Sequence, residues 1–360
     1  MNSGANRLIP YLLSWALLAW NALGGVRRWG PATNAALLVF FTLLIGLRNE
    51  VGGDWFNYLP NLDRAQGMPL GEVLEQDEVG YGLLNWVGAN WGGGIFLVNT
   101  LCGLIFSVGL LKLCRAQPRP WLALTLAFPY LIVVVAMGYS RQGVAIGLEC
   151  LALLALERDR LLWFIGWVAL AATFHKTVLI LLVLPAATLN TKVSSSSLIR
   201  LVRLLAFVPA GYGLFATLLA SSLDQFQQGY IEAEYQADGA LIRVVLCLLP
   251  ALVFLMARRR FQLPLQQQRI WSLLSAGAVV AAIGLVTVAS SVVIDRLALY
   301  LIPLQIVVGS RLPDTQLLGL APKLWTLVLI VLSLAVLLVW LLFANFSYAW
   351  LPYRNLLLPF

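Results

Sequence analysis

Four short stretches carry the side chains with which this chain could do chemistry: Arg48 to Tyr58, Tyr139-Ser140-Arg141-Gln142, Phe174-His175-Lys176 and Asp295-Arg296. Each puts ionisable groups at the edge of an apolar run, where a charge at bilayer depth costs about 2.5 to 3.5 kcal/mol on insertion scales and needs a compensating reason. Arginines gathered from separate segments suit a phosphate or diphosphate, because the planar guanidinium offers bidentate, charge-assisted hydrogen bonds. Asp54 follows Gly52-Gly53, a pair that lets the backbone turn sharply and present a carboxylate to a hydroxyl, as orienting group or general base. His175 is the only histidine, and imidazoles are suited to taking a proton from a hydroxyl nucleophile near neutral pH. Each group also has a plainer use. A loop arginine can anchor to headgroups, a lone histidine can pack, Asp54 can pair with Arg48, Asp295-Arg296 can pair locally, and Glu78 can cap the helix it precedes. The buried-looking Glu149, two turns along from Arg141, reads as a structural partner for a neighbouring polar group.

The elements that must position these residues are membrane helices. Of 360 residues 61% are apolar and 11% charged, against roughly a quarter charged in soluble domains, which excludes a soluble enzyme. The expected fold is all-α and polytopic, a single transmembrane domain over residues 1–360 with about 12 transmembrane or re-entrant helices. The spans read as Leu8 to Leu23, Ala32 to Leu47, Gly94 to Leu113, Trp121 to Gly138, Gln142 to Leu156, Leu161 to Phe174, Thr177 to Leu189, Leu201 to Leu219, Leu241 to Ala257, Ile270 to Ala289, Leu297 to Val308 and Leu324 to Phe343. An external loop, 48–93, should hold a short re-entrant or interfacial helix from Tyr81 to Trp91. A second, 220–240, is acidic, and 344–360 reads as an interfacial C-terminal tail.

With the N-terminus outside, sixteen of the 24 Lys and Arg residues fall on cytoplasmic loops, as the positive-inside rule asks. That uses up much of the excess over the 16 acids, so nucleic acid is not an expected partner. Keeping the bias requires a chain reversal at His175 and Lys176. The same orientation puts all four stretches at the external face. Cys102, Cys114, Cys150 and Cys247 show no metal-ligand or paired spacing and read as small core residues.

Several motifs together carry a resemblance. They are Arg48-(x3)-Gly52-Gly53-Asp54-(x3)-Tyr58, Glu78-(x)-Gly80-Tyr81, Ser140-Arg141-Gln142-(x2)-Ala145, Ala172-(x)-Phe174-His175-Lys176-Thr177, Asp295-Arg296-(x3)-Tyr300 and Pro352-Tyr353. In this order and spacing the sequence resembles the EpsG-like family of exopolysaccharide repeat-unit polymerases, a branch of the Wzy-type polymerases. Lys176 is a departure, since the family more often has a small or apolar residue there.

The resemblance implies a GT-C-like architecture in the cytoplasmic (inner) membrane. There, undecaprenyl-diphosphate-linked oligosaccharides would be polymerised at the outer face into an exopolysaccharide, capsule or O-antigen. On that reading Arg141 and Arg296, assisted by Arg48, hold the donor diphosphate, and His175 or Asp54 is the base. Tyr58, Tyr300 and Tyr353 bind sugar, and Glu78, Gln142, Lys176 and Asp295 support them. No metal or other cofactor is expected. The partners are lipid-linked donor and acceptor glycans and the bilayer, with a chain-length regulator and a flippase implied by the family. A transporter or flippase of the same lipid-linked sugars is the alternative; it would want a cationic cavity but no base.

Overall fold

The computed structural model describes residues 3–25, 28–188, 231–287 and 291–357, which form helices and turns joined by one isolated bridge, Arg48 to Asn355. Among them four helices are long and apolar enough to cross a bilayer: Gly94–Arg115, Ala240–Phe261, Leu265–Thr287 and Pro322–Phe343. Shorter apolar helices run Leu8–Leu23, Pro31–Gly46, Pro120–Ala136, Leu161–Ala172 and Lys176–Pro185. The chain is a helical membrane protein. The expected span Leu201 to Leu219 lies outside the described residues.

In chain order the helices are α1 (Ser3–Leu23), α2 (Pro31–Gly46), α3 (Trp55–Ala65), α4 (Leu70–Leu74), α5 (Val79–Asn90), α6 (Gly94–Arg115), α7 (Pro120–Ala127), α8 (Ser140–Glu157), α9 (Leu161–Ala172) and α10 (Val183–Thr188). After the undescribed stretch come α11 (Ile231–Ala257), α12 (Leu265–Thr287), α13 (Ser291–Ala298), α14 (Pro303–Arg311) and α15 (Pro322–Phe343). α7 continues as a π-helix over Phe128–Ala136, beginning where Pro129 has no N–H to give the α-helical ladder.

α8 is the axle of this arrangement. Between Gly143 and Leu156 its only charged side chain is Glu149, and every residue from Gln142 to Leu156 is buried. It meets α6 through two glycines. A Cβ on Gly109 would stand 1.8 Å from the Gly147 carbonyl oxygen, and one on Gly147 would stand 2.6 Å from the Phe106 Cα, so the backbones touch where any side chain would part them.

Four expectations need correction. The 48–93 segment holds three helices, α3, α4 and α5, where one short helix was expected. The 220–240 loop is helical from Ile231 onward, because α11 starts ten residues before its apolar run does. Asp295 and Arg296 lie within α13 rather than ahead of a helix, and the segment expected as one span breaks at Leu299–Leu301 before α14 resumes at Pro303. The tail, expected as an interfacial segment, sends two of its aromatics into the bundle. Trp350 and Tyr353 are buried, Trp350 Nε1 donates to the Val133 carbonyl (2.7 Å), and Tyr353 donates to that of Leu44 (2.7 Å). At His175 the chain does break as expected: the residue is extended between α9 and a 3-10 helix, Lys176–Leu182, that packs against α9.

The turn after α2 is built on Arg48, whose residue exposure is 0%. Its guanidinium donates to the carbonyls of Val51 (3.0 Å) and Ile45 (2.5 Å), to Asn99 Oδ1 on α6 (3.3 Å) and to Ser140 Oγ at the start of α8 (2.8 Å). Trp55 covers one face, 5.6 Å from ring centroid to the guanidinium carbon. Gly52 then passes beneath α8's entry with φ +112°, where a Cβ would meet the Met137 carbonyl oxygen at 2.1 Å.

Two substitutions test this frame. Arg48→Met strands two carbonyls and two polar side chains, and should cost about 3 kcal/mol or more. The purified protein should then melt well below wild type in detergent, and an unchanged melting temperature would show that the strut is dispensable. Gly147→Leu should yield no monodisperse protein on size-exclusion chromatography, because α6 and α8 cannot close.

Candidate active site

Three helix ends and one turn meet around Glu78, the residue before α5. Its Oε2 accepts a 2.6 Å hydrogen bond from Arg141 Nη1, in the first turn of α8. Its Oε1 stands 3.1 Å from Nδ1 of His175, at the break after α9. The approach depends on Gly80: its N–H donates to the Thr173 carbonyl (2.9 Å), and a Cβ there would strike Thr173 Oγ1 at 2.4 Å. Only glycine lets α5 start this close to the end of α9.

The electrostatics follow from the contacts. Burial would raise the Glu78 carboxyl, but the hydrogen bond with His175 and the Arg141 charge outweigh it and hold the group below its ordinary value. An ionised Glu78 accepts a hydrogen bond and cannot give one, so Nδ1 of His175 is the donor in this contact. His175 Nε2 is buried and has no hydrogen-bond partner among the described residues. Arg141 remains 40% exposed, and its guanidinium carbon lies 5.9 Å from the ring centroid of Tyr58 and 5.8 Å from that of Tyr81.

Asp54 is drawn in through Tyr58. It precedes α3, and its Oδ2 accepts the Tyr58 hydroxyl at 3.2 Å; Asn57 Nδ2 lies 3.4 Å from Oδ1. It makes no pair with Arg48, whose donors are already engaged. Arg296 joins by the backbone: Gln142 Nε2 donates to its carbonyl at 3.0 Å, while its side chain is exposed. Lys176 is tied to Asp77 at 2.5 Å on the surface beside Glu78. The four sequence stretches therefore converge, linked by Arg48 to Ser140, Asp54 N–H to the Gly138 carbonyl, Arg141 to Glu78 to His175, and Gln142 to Arg296.

Several residues expected to touch ligand are otherwise employed. Arg48 is enclosed and cannot reach a diphosphate. Tyr353 is buried with its hydroxyl on Leu44, and Tyr300 is buried with its hydroxyl 3.2 Å from Thr177 Oγ1, so neither presents a ring to a sugar. Asp295 pairs with Arg243 at 2.5 Å, and burial pushes its carboxyl up to about 6 against the pull of Arg243 and Arg296. Arg243 went unremarked in the sequence because it is a lone cation just inside an apolar run, where its only signal was the cost of being there. Glu149, expected to serve a polar neighbour, is fully buried, and neither oxygen finds a partner among the described residues.

Among the described residues no group of three or more His, Cys, Asp or Glu side chains is placed to hold a metal ion. A hollow of about 620 Å³ lies at the opposite end of the helices, lined by Arg258, Arg259 and Arg269, and takes no part in this cluster.

The EpsG family model matches residues 35–355, a stretch containing Glu78, Arg141, His175 and Arg296. No curated protein and no solved structure matches the chain. With the family model matching nearly the whole length, the chain belongs to the EpsG family.

Proposed function

We propose that this protein polymerises glycan repeat units carried on undecaprenyl diphosphate at the outer face of the cytoplasmic membrane. EpsG membership supports an exopolysaccharide polymerase as the general class. The observation that carries the finer reading is the Arg141–Glu78–His175 cluster: a half-exposed guanidinium and an imidazole whose Nε2 has no partner among the described residues, held on one carboxylate.

In this reaction a hydroxyl of the acceptor's terminal sugar attacks the anomeric carbon of the donor glycan. The new oxygen–carbon bond forms as the bond from that carbon to the diphosphate oxygen breaks, and the bonding pair leaves with the diphosphate. Arg141 and Arg296 bind that group and stabilise the charge it gains on departure. The acceptor's proton goes to Nε2 of His175, an atom covered in this structure that the acceptor must uncover on binding, producing an imidazolium whose Nδ1–H rests on Glu78. His175 is favoured over Asp54 as the base because Glu78 joins it to the diphosphate side of the site, whereas Asp54 accepts from Tyr58 and Asn57. Arg48 and Tyr353 serve the frame, and no step calls for a metal. A GT-C-like arrangement, the full set of about 12 helices, and work beside a flippase and a chain-length regulator complete the proposal.

The test is assembly of polymer from purified protein and lipid-linked repeat units in detergent, where no barrier exists for transport to cross. Wild type should elongate the lipid-linked sugar, and Arg141→Ala should lose about 10²- to 10³-fold in rate, the scale for removing a charge-stabilising donor. Absence of elongation by wild type would leave the flippase reading in its place. Elongation by Arg141→Ala at a wild-type rate would refute the clamp.

A further inference from the structure

Glu78 holds two jobs that cannot both be satisfied once a substrate arrives. In the structure its carboxylate is the hydrogen-bond partner of Arg141, the cation that the reading above assigns to the donor diphosphate. The same carboxylate is the partner of His175 Nδ1, but at 3.1 Å rather than 2.6 Å, so the shorter, doubly charged bond goes to the arginine. A diphosphate bound to Arg141 brings negative charge against Glu78 and takes over donors that the carboxylate now uses.

We propose that Glu78 is a positioning residue that transfers its charge from Arg141 to His175 when a diphosphate occupies the guanidinium, so that donor binding arms the base. This inference rests on the polymerase reading of Arg141 and His175 and deepens it. With Arg141 engaged by the diphosphate, the Glu78 carboxylate has one cationic or donor partner left, the Nδ1–H of His175. Its undivided charge stabilises the imidazolium that forms when Nε2 takes the acceptor's proton. Without donor, Arg141 offsets that charge and Nε2 is the weaker base. An acceptor hydroxyl is therefore activated only when there is a leaving group to displace, which protects the lipid-linked donor and acceptor from unproductive attack.

The surroundings leave Glu78 as the group that can carry this coupling. The charged and titratable neighbours of the pair are Arg141 on α8, Tyr81 on α5, Tyr58 and Asp54 on α3, and Tyr300 below Thr177; Lys176 and Asp77 pair with each other beside them. Burial raises the phenols of Tyr58, Tyr81 and Tyr300, so they remain neutral. Asp54 reaches Arg141 only across the Tyr58 ring. Among the described residues Glu78 alone touches both members.

The single histidine makes the test direct, since its imidazole carbon-bound proton resonance belongs to His175 in protein purified without a histidine tag. Its titration is followed by NMR in detergent with and without inorganic pyrophosphate, while phosphorus NMR reports pyrophosphate binding. In wild type, saturating pyrophosphate should move the midpoint up by about one pH unit, the scale of an adjacent unit charge. In Glu78→Gln the upward movement should fall to less than half that, with pyrophosphate still bound. Arg141→Ala should show a raised midpoint without any ligand, and adding Glu78→Gln to it should abolish the rise. Glu78→Asp, which keeps the charge, should restore part of the coupling and guards against a variant that merely misfolds. An equal shift in wild type and Glu78→Gln, or bound pyrophosphate with no shift in wild type, would overturn the relay and leave the polymerase reading standing. Pyrophosphate that fails to bind wild type but leaves elongation intact would overturn the relay and the Arg141 clamp together.

Discussion

A turn at the end of a membrane helix has little water to complete it, and in this protein one arginine completes it. Arg48 gives hydrogen bonds to two carbonyls of its own turn and to side chains of α6 and α8, with no exposed surface left over. A buried charge of this kind is tolerated only where its donors are satisfied. Its reach joins three segments far apart in the chain, and the geometry downstream inherits that constraint. Ser140 is held by Arg48, Arg141 follows Ser140, and the first turn of α8 is thereby fixed in rotation against α5 and α9.

The arginines of this end of the protein consequently divide into different physical roles despite equal charge. Arg48 is saturated by neutral acceptors and has become part of the frame. Arg243 is neutralised by Asp295 within a largely buried pair. Arg141 is held by a carboxylate on one side and aromatic rings on the other, with part of its surface open. Arg296 is fixed at its backbone and exposed at its side chain. Arg141 and Arg296 keep exposed surface that an anion could reach. The division is one of partners and burial, and residue type does not reveal it.

This explains what could be read in advance and what could not. The cost of charge at bilayer depth marked stretches that the fold brings together, because Arg48, Arg141, His175 and Asp295 each stand where an apolar run ends. Glycine pairs announced the sharp turn at Gly52-Gly53. What stayed hidden was which partner each group would choose. Glu78 looked like a capping residue because its position before α5 is where a cap belongs, but its side chain makes no capping bond there and turns to Arg141 and His175 instead. Tyr300 and Tyr353 looked like sugar platforms because tyrosine suits that role, yet their hydroxyls are spent inside the bundle. Pairing depends on tertiary approach, and the approach of α5 to α9 rests on the missing side chain of Gly80.

The acid at the centre of the cluster also bears on which anions the site will accept. A bare pair of arginines at the edge of a bilayer would gather phospholipid phosphates, which are abundant there and carry about one negative charge each. With Glu78 already on Arg141, any anion must compete with a carboxylate at 2.6 Å, held in place by a second hydrogen bond to His175. A phosphodiester offers roughly the charge that it would displace and gains little from the exchange. On the proposed reading a diphosphate would bring more charge and a second phosphoryl group for Arg296, so the exchange would favour it. In the proposed site, the carboxylate that weakens the clamp in absolute terms would thus sharpen it against the commonest competitor. That is a reason for an acid to stand where a purely attractive site would have none.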